Sequence, residues 1–165
     1  MSRFHRVLGA LTLALILPVT ASADDEQEIR NYVLTDAGLA KYSQAARKLA
    51  VMDAAQTGAC EESEDGEDAQ SISDVVAKFD RYPAAKSAIT SAGMSTREYV
   101  VFSFALLQTG LAVWGADQSG GQAQGVSAAN AAFYKKNEAH LKKLETVTQK
   151  PFCEEEEEDD GGSGD

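Results

Sequence analysis

The chain has 165 residues, with 26 acidic against 15 basic side chains and a formal net charge of −11. That length supports one domain with a real core. The acidic excess argues against a nucleic-acid partner, whose phosphates require clustered lysine and arginine. The acids are unevenly placed: six lie in Glu61–Asp68 and eight in Glu154–Asp165, so the remainder of the chain is close to neutral.

Residues 1–23 carry Arg3 and Arg6, an apolar run from Val7 to Leu17, Pro18, and the small-residue site Ala21-Ser22-Ala23 before Asp24-Asp25. This is the layout of a secretory signal cleaved after Ala23. The apolar run is about half of the roughly 20 residues a membrane span needs. No cysteine near the site suggests lipidation. A periplasmic or secreted protein is expected, with a helical domain over 24–153 and a disordered acidic tail over 154–165.

Thr35-Asp36 can cap a first helix in which Leu39, Tyr42, Ala46, Leu49 and Asp53 share one face, with an end near Gly58. An acidic loop over 61–70 follows, since dense like charge opposes compaction. A second helix is expected from Ser73-Asp74, with Val75, Val76 and Phe79 toward the core. Pro83 should kink it or start a new turn, and Gly93 suits a left-handed stop. Ser95 and Glu98 have capping-box spacing, with Met94 and Tyr99 at the staple positions. The run this opens, YVVFSFALLQTGLAVW, is apolar on nearly every face. Its length, with Ser103, Gln108 and Thr109 inside it, favours the central helix of a bundle over a membrane span.

A glycine- and glutamine-rich linker is read over 115–126. Ser127 or Asn130 then caps a last helix with Phe133, Asn137, Leu141, Leu144 and Thr148 along one side, stopped by Pro151. Lysines 135, 136, 142 and 143 take its wetter sides. No strand-period run appears, so the fold expected is an all-α bundle of about four to five helices.

The mature chain keeps one histidine, His140. A carboxylate-bridged di-iron bundle needs paired Glu-x-x-His motifs, and Asn137 stands three before His140. The two cysteines lack zinc-site spacing, and no C-x-x-C-H haem attachment occurs. A non-covalent haem between Met52 or Met94 and His140 is the lesser alternative to a solvated helical histidine. No G-x-S-x-G elbow or phosphate loop is present. No catalytic residue, specific metal site or cofactor is therefore assigned, and the chain is read as a non-enzyme.

Cys60 and Cys153 are the sharpest pair. An oxidising compartment favours a structural disulfide, and Glu61-Glu62 and Glu154-Glu155 disfavour a reactive thiolate. The bond would close a loop of 94 residues, for which chain entropy gives at most about 4–5 kcal/mol. It would also draw together the acids Glu61, Glu62, Glu64, Asp65, Glu67, Asp68, Glu154, Glu155, Glu156, Glu157, Glu158, Asp159 and Asp160. Two roles compete for them: solubilising brushes that repel one another, or a gatherer of hard cations or a basic partner. The EF-hand pattern fails, with Ala69 and Ile72 at its ninth and twelfth positions, so any Ca²⁺ affinity is expected to be weak, on the order of millimolar.

Three stretches, NYVLTDAGLAKY, STREYVVFSFALLQTGLA and GVSAANAAFYKKNEAHLKKL, resemble a family of small exported bacterial helical proteins without an established activity. The resemblance implies export and an all-helical fold, and carries over no catalytic or binding residue. The function expected is that of an exported, non-enzymatic helical protein, an envelope interaction module with cation-responsive acidic tracts. The alternative is a carrier of haem or another apolar ligand among the helices around Tyr99–Trp114.

Overall fold

The computed structural model describes residues 23–52, 57 and 71–148. Among the described residues the fold is all-helical, with six helices and no strand. They are α1 (Ala23–Asn31), α2 (Asp36–Ala50), α3 (Ile72–Asp80), α4 (Pro83–Thr90), α5 (Thr96–Ser119) and α6 (Ala128–Thr148).

Local chemistry accounts for most of the boundaries. Thr35 caps α2 by accepting from the Gly38 amide at 3.1 Å, and Ser95 caps α5 by accepting from the Glu98 amide at 3.0 Å. Ser127 does the same for the Asn130 amide at 3.0 Å. Each satisfies a donor that the first helical turn leaves without an intrahelical partner. Pro83 opens α4 at the first-turn position where its missing amide costs nothing.

Four boundaries differ from the sequence-based expectation. The lead before Thr35 is itself a helix, whose first turn carries Asp24, Asp25 and Glu26 where the helix dipole favours negative charge. The α2 helix ends at Ala50, short of Gly58, in a tightened turn where Met52 N–H donates to the Leu49 carbonyl at 3.0 Å. Ser71, rather than Ser73-Asp74, caps α3, its hydroxyl accepting from the Asp74 amide at 3.1 Å. The α5 helix runs through Gly115 to Ser119, so the expected linker over 115–126 begins only at Gly120 (φ +67°). A helical glycine costs about 1 kcal/mol, and burial of Val113 and Ala116 on either side of Gly115 outweighs it.

Helix α5 touches each of the other five. On one side Phe102 and Ala105 join Leu34, Leu39, Ala45, Ile89, Ala92, Met94 and Phe133 in the main core. On the other, Val100 and Val101 pack with Ile72 of α3, with Ile29 of α1 alongside. Five rings cross between these groups in a continuous ladder. Tyr32 meets Phe102 edge-on at 6.0 Å, Phe102 stacks on Tyr42 at 4.9 Å, Tyr42 stacks on Tyr99 at 5.1 Å, and Tyr99 meets Phe79 edge-on at 5.8 Å. Such pairs add about 0.5–1.5 kcal/mol each beyond their burial.

The ladder also fixes helix directions. Gly38 and then Tyr42 of α2 pass Phe102 and then Tyr99 of α5, so the two helices are antiparallel. Asp36 bonds Lys136 and Ser43 bonds His140, so α6 runs with α2. The last turns of α2 and α6 therefore lie at one end of the bundle, the end where α5 begins.

Buried polar groups tie the layers. Asn130, 3% exposed, donates to the Tyr32 carbonyl at 2.8 Å and accepts from the Leu34 amide at 3.0 Å. Asp25 accepts from the Ile72 amide at 2.9 Å, and Arg97 lies 3.6 Å from it while also pairing with Glu28. Thr96 donates to Asp80 at 3.0 Å. Among the described residues every buried side-chain nitrogen and oxygen has a partner, as stable interiors require.

Two outcomes are expected. A Cβ on Gly38 would stand 2.9 Å from the Phe102 ring and 3.1 Å from the Thr35 hydroxyl. Gly38→Ala should therefore cost about 1–3 kcal/mol in urea unfolding, despite alanine's better helix propensity; stabilisation would show that the ring yields. The Tyr99 hydroxyl titrates well above its ordinary value of 10.0, because burial and then the charge and hydrogen bond of Tyr42 favour the neutral form. Its contribution is fully present below pH 10 and is lost as pH rises beyond that, when the unfolded chain ionises and the folded chain does not. Tyr99→Phe should flatten the alkaline limb of the stability curve, and an unchanged slope would refute this.

Candidate functional site

The site residues read from the sequence, Cys60, Cys153 and the acids of 61–68 and 154–160, lie outside the described residues. The helices that lead to them are described. Beyond the Ser43–His140 contact, α2 and α6 each run on by about 10–12 Å at 1.5 Å per residue. Cys60 follows Val51 by nine residues and Cys153 follows Thr148 by five.

His140 projects from α6 toward α2, with its Nε2 3.0 Å from the Ser43 hydroxyl. The pair borders an open depression of about 420 Å³, lined also by Ala40, Gln44, Arg47, Lys48 and Val51. Sequence reasoning had no signal for Ser43, which stands 97 residues from its partner on a face otherwise read as apolar. A serine and a histidine in contact raise the question of nucleophilic chemistry. Both sit in the middle of helices, where the backbone amides beside them are committed to carbonyls four residues back and so cannot serve an oxyanion. Lys48 is engaged with the Ser91 hydroxyl at 2.7 Å. The geometry is that of an interhelical tie beside a basic rim. Of the two methionines named as haem-ligand candidates, Met94 packs in the main core at the foot of α5, and Met52 lies just past the end of α2, where its amide donates to the Leu49 carbonyl.

On the same α2–α6 seam, Asp36 accepts from Lys136 at 2.7 Å and from Asn137 at 3.3 Å. Those two hydrogen bonds, Lys136 first, hold its carboxyl below the ordinary aspartate value. The group is fully solvated, so this is a surface pair with little bearing on stability.

The more unusual surface is on α5. From Ala105 onward, Ala105, Thr109, Val113 and Ala116 are buried, and the Tyr134 ring of α6 closes onto Gly110, where a Cβ would stand 2.9 Å from ring atoms. Lys135 reaches Asp117 at 2.9 Å. The opposite side carries Phe104, Leu107, Leu111 and Trp114, exposed by 36%, 58%, 61% and 66%. Their spacing of three, four and three residues puts them in one line down the helix. Val100 stands one step earlier in that line and is 2% exposed, since α1 and α3 cover it. The line emerges where this cover stops.

Length and apolar character alone would let α5 cross a membrane, yet 44% of its most apolar stretch is buried by its neighbours. The sequence could not distinguish the open side from the packed one, because YVVFSFALLQTGLAVW is apolar around its whole circumference. Burial is decided by which helices α5 meets, and those contacts are long-range. In comparisons with known proteins, no family model, curated protein or solved structure matches this chain.

Proposed function

We propose that the chain is an exported, non-enzymatic helical module of the cell envelope that acts by contact, through the open side of α5. One observation carries this: a bundle whose buried side-chain nitrogens and oxygens all have partners among the described residues nevertheless leaves Phe104, Leu107, Leu111 and Trp114 in water on a single line. Scattered apolar residues on a surface are ordinary, whereas a contiguous apolar patch marks an interaction site.

Export rests on the signal-like residues 1–23. A Cys60–Cys153 disulfide fits this compartment, and the common direction of α2 and α6 favours it, because both lead-in helices finish at one end. The bond would anchor both acidic tracts there, where Ca²⁺ or a basic partner relieves their repulsion.

Trp114 is the only tryptophan of the chain and sits in the open line, so its emission tests the proposal directly. In dilute protein it should emit as a water-exposed indole and be quenched freely by acrylamide. A shielded, blue-shifted emission at the lowest measurable concentration would show that the chain covers its own patch, and would overturn the contact role. For the acidic end, intact mass should lie two protons below the reduced value. The melting midpoint should rise with about 5–10 mM Ca²⁺ at constant ionic strength. Two alkylatable thiols, or an unmoved midpoint, would refute the respective part.

A further inference from the structure

We infer that the partner of the open α5 side is a second copy of this chain, paired helix to helix and antiparallel about a twofold axis between Leu107 and Leu111. This rests on α5 being the contact surface and identifies what it contacts. Val100, Phe104, Leu107, Leu111 and Trp114 recur at four, three, four and three residues, which is the a/d repeat of a helix–helix seam. Val100 is already sealed by α1 and α3 within the chain. The remaining positions continue that interface and lack only a further helix.

Charge selects the occupant. The positions flanking the open line are Ser103, Gln108, Gly110 and Gly115, and no charged residue occurs from Tyr99 to Ala116. Asp117, at the far end, is held by Lys135. Flanking charges ordinarily specify a different partner chain. Here there are none, so a charged partner gains nothing, while two copies of a strongly acidic protein can meet along this strip without like-charge repulsion. Anionic lipid is disfavoured because the strip lacks the basic border of interfacial helices.

Area agrees. The exposed parts of the four side chains amount to roughly 330–550 Å² of apolar surface, taking about 150–250 Å² for each whole side chain. Two such strips approach the apolar share of a standard interface of about 1,600 Å². Direction follows from sterics and symmetry. A parallel pair would press the α1–α3 cover of one copy against that of the other. An antiparallel pair sets those bodies at opposite ends, with Phe104 against the second copy's Trp114 and Leu107 against its Leu111. A twofold interface must be self-complementary in this way.

The test uses the mature full-length chain in sedimentation velocity from about 1 to 100 µM, the range in which a modest dimer changes population. The wild type should shift from monomer toward dimer, with a blue shift of Trp114 emission over the same range. Leu107→Glu combined with Leu111→Glu should stay monomeric, with helix content unchanged by circular dichroism. Leu111→Ala should weaken the dimer at least several-fold, which covers the case of a double variant that fails to fold. A spin label on Gln118→Cys should give a separation of about 27 Å in an antiparallel dimer, from 18 residues at 1.5 Å each; about 10 Å would overturn the direction. A wild type that stays monomeric with Trp114 exposed overturns the pairing and leaves the contact surface standing for another partner. A monomer that binds neutral phosphatidylcholine vesicles through Trp114 identifies lipid instead. Trp114 shielded at every concentration defeats both proposals.

Discussion

The bundle depends on how closely Phe102 approaches the first turn of α2. With no side chain at Gly38, the ring lies almost on the helix backbone, and Tyr42 one turn later can stack on its face. From that seat the ring ladder extends to Tyr32 between α1 and α2 and, through Tyr99, to Phe79 of α3. A single fully buried ring thus sets the spacing and direction of α2 against α5. Asn130 then locks the start of α6 to the Tyr32–Leu34 turn with a bond in each direction. Dense packing transmits such a constraint because interiors leave little free volume.

Helix α5 has two jobs along its length. Its first half supplies the core of the fold through Val100, Val101, Phe102 and Ala105, while Phe104 and Leu107 already face water. Its second half is backed by α6, through Tyr134 against Gly110 and Lys135 with Asp117. The apolar character does not stop at that point, since valine and leucine continue through both halves and Trp114 follows the phenylalanines. What differs is the length of the neighbours: α3 has nine residues and α4 eight, against 24 in α5. Short helices beside a long one leave part of it uncovered.

Much of the local architecture was legible in the sequence. Thr35, Ser95 and Pro83 mark helix starts by chemistry that acts within four residues, and Phe133 and Leu144 show the buried side of α6 by their spacing. Errors came where the outcome depended on distant contacts. Gly115 looked like a linker residue and is helical because α6 backs the segment around it. The acidic residues of α1 looked like a loose lead, yet Asp25 and Glu28 meet Arg97 some 70 positions later. The Ser43–His140 tie and the open side of α5 likewise arise from elements brought together by folding. The cysteines and acidic tracts, prominent as sequence, fall outside the described residues, so their roles rest on composition and on where α2 and α6 end.

The shared direction of α2 and α6 has a consequence for assembly. The chain leaves both helices at the pole where α5 starts, whereas the apolar line surfaces toward the other pole. In the proposed antiparallel pair each copy would spend its one apolar line on the other. A twofold contact of identical patches is used up once two copies have met, so growth would stop at a pair and an exposed hydrophobic helix would be kept from seeding filaments.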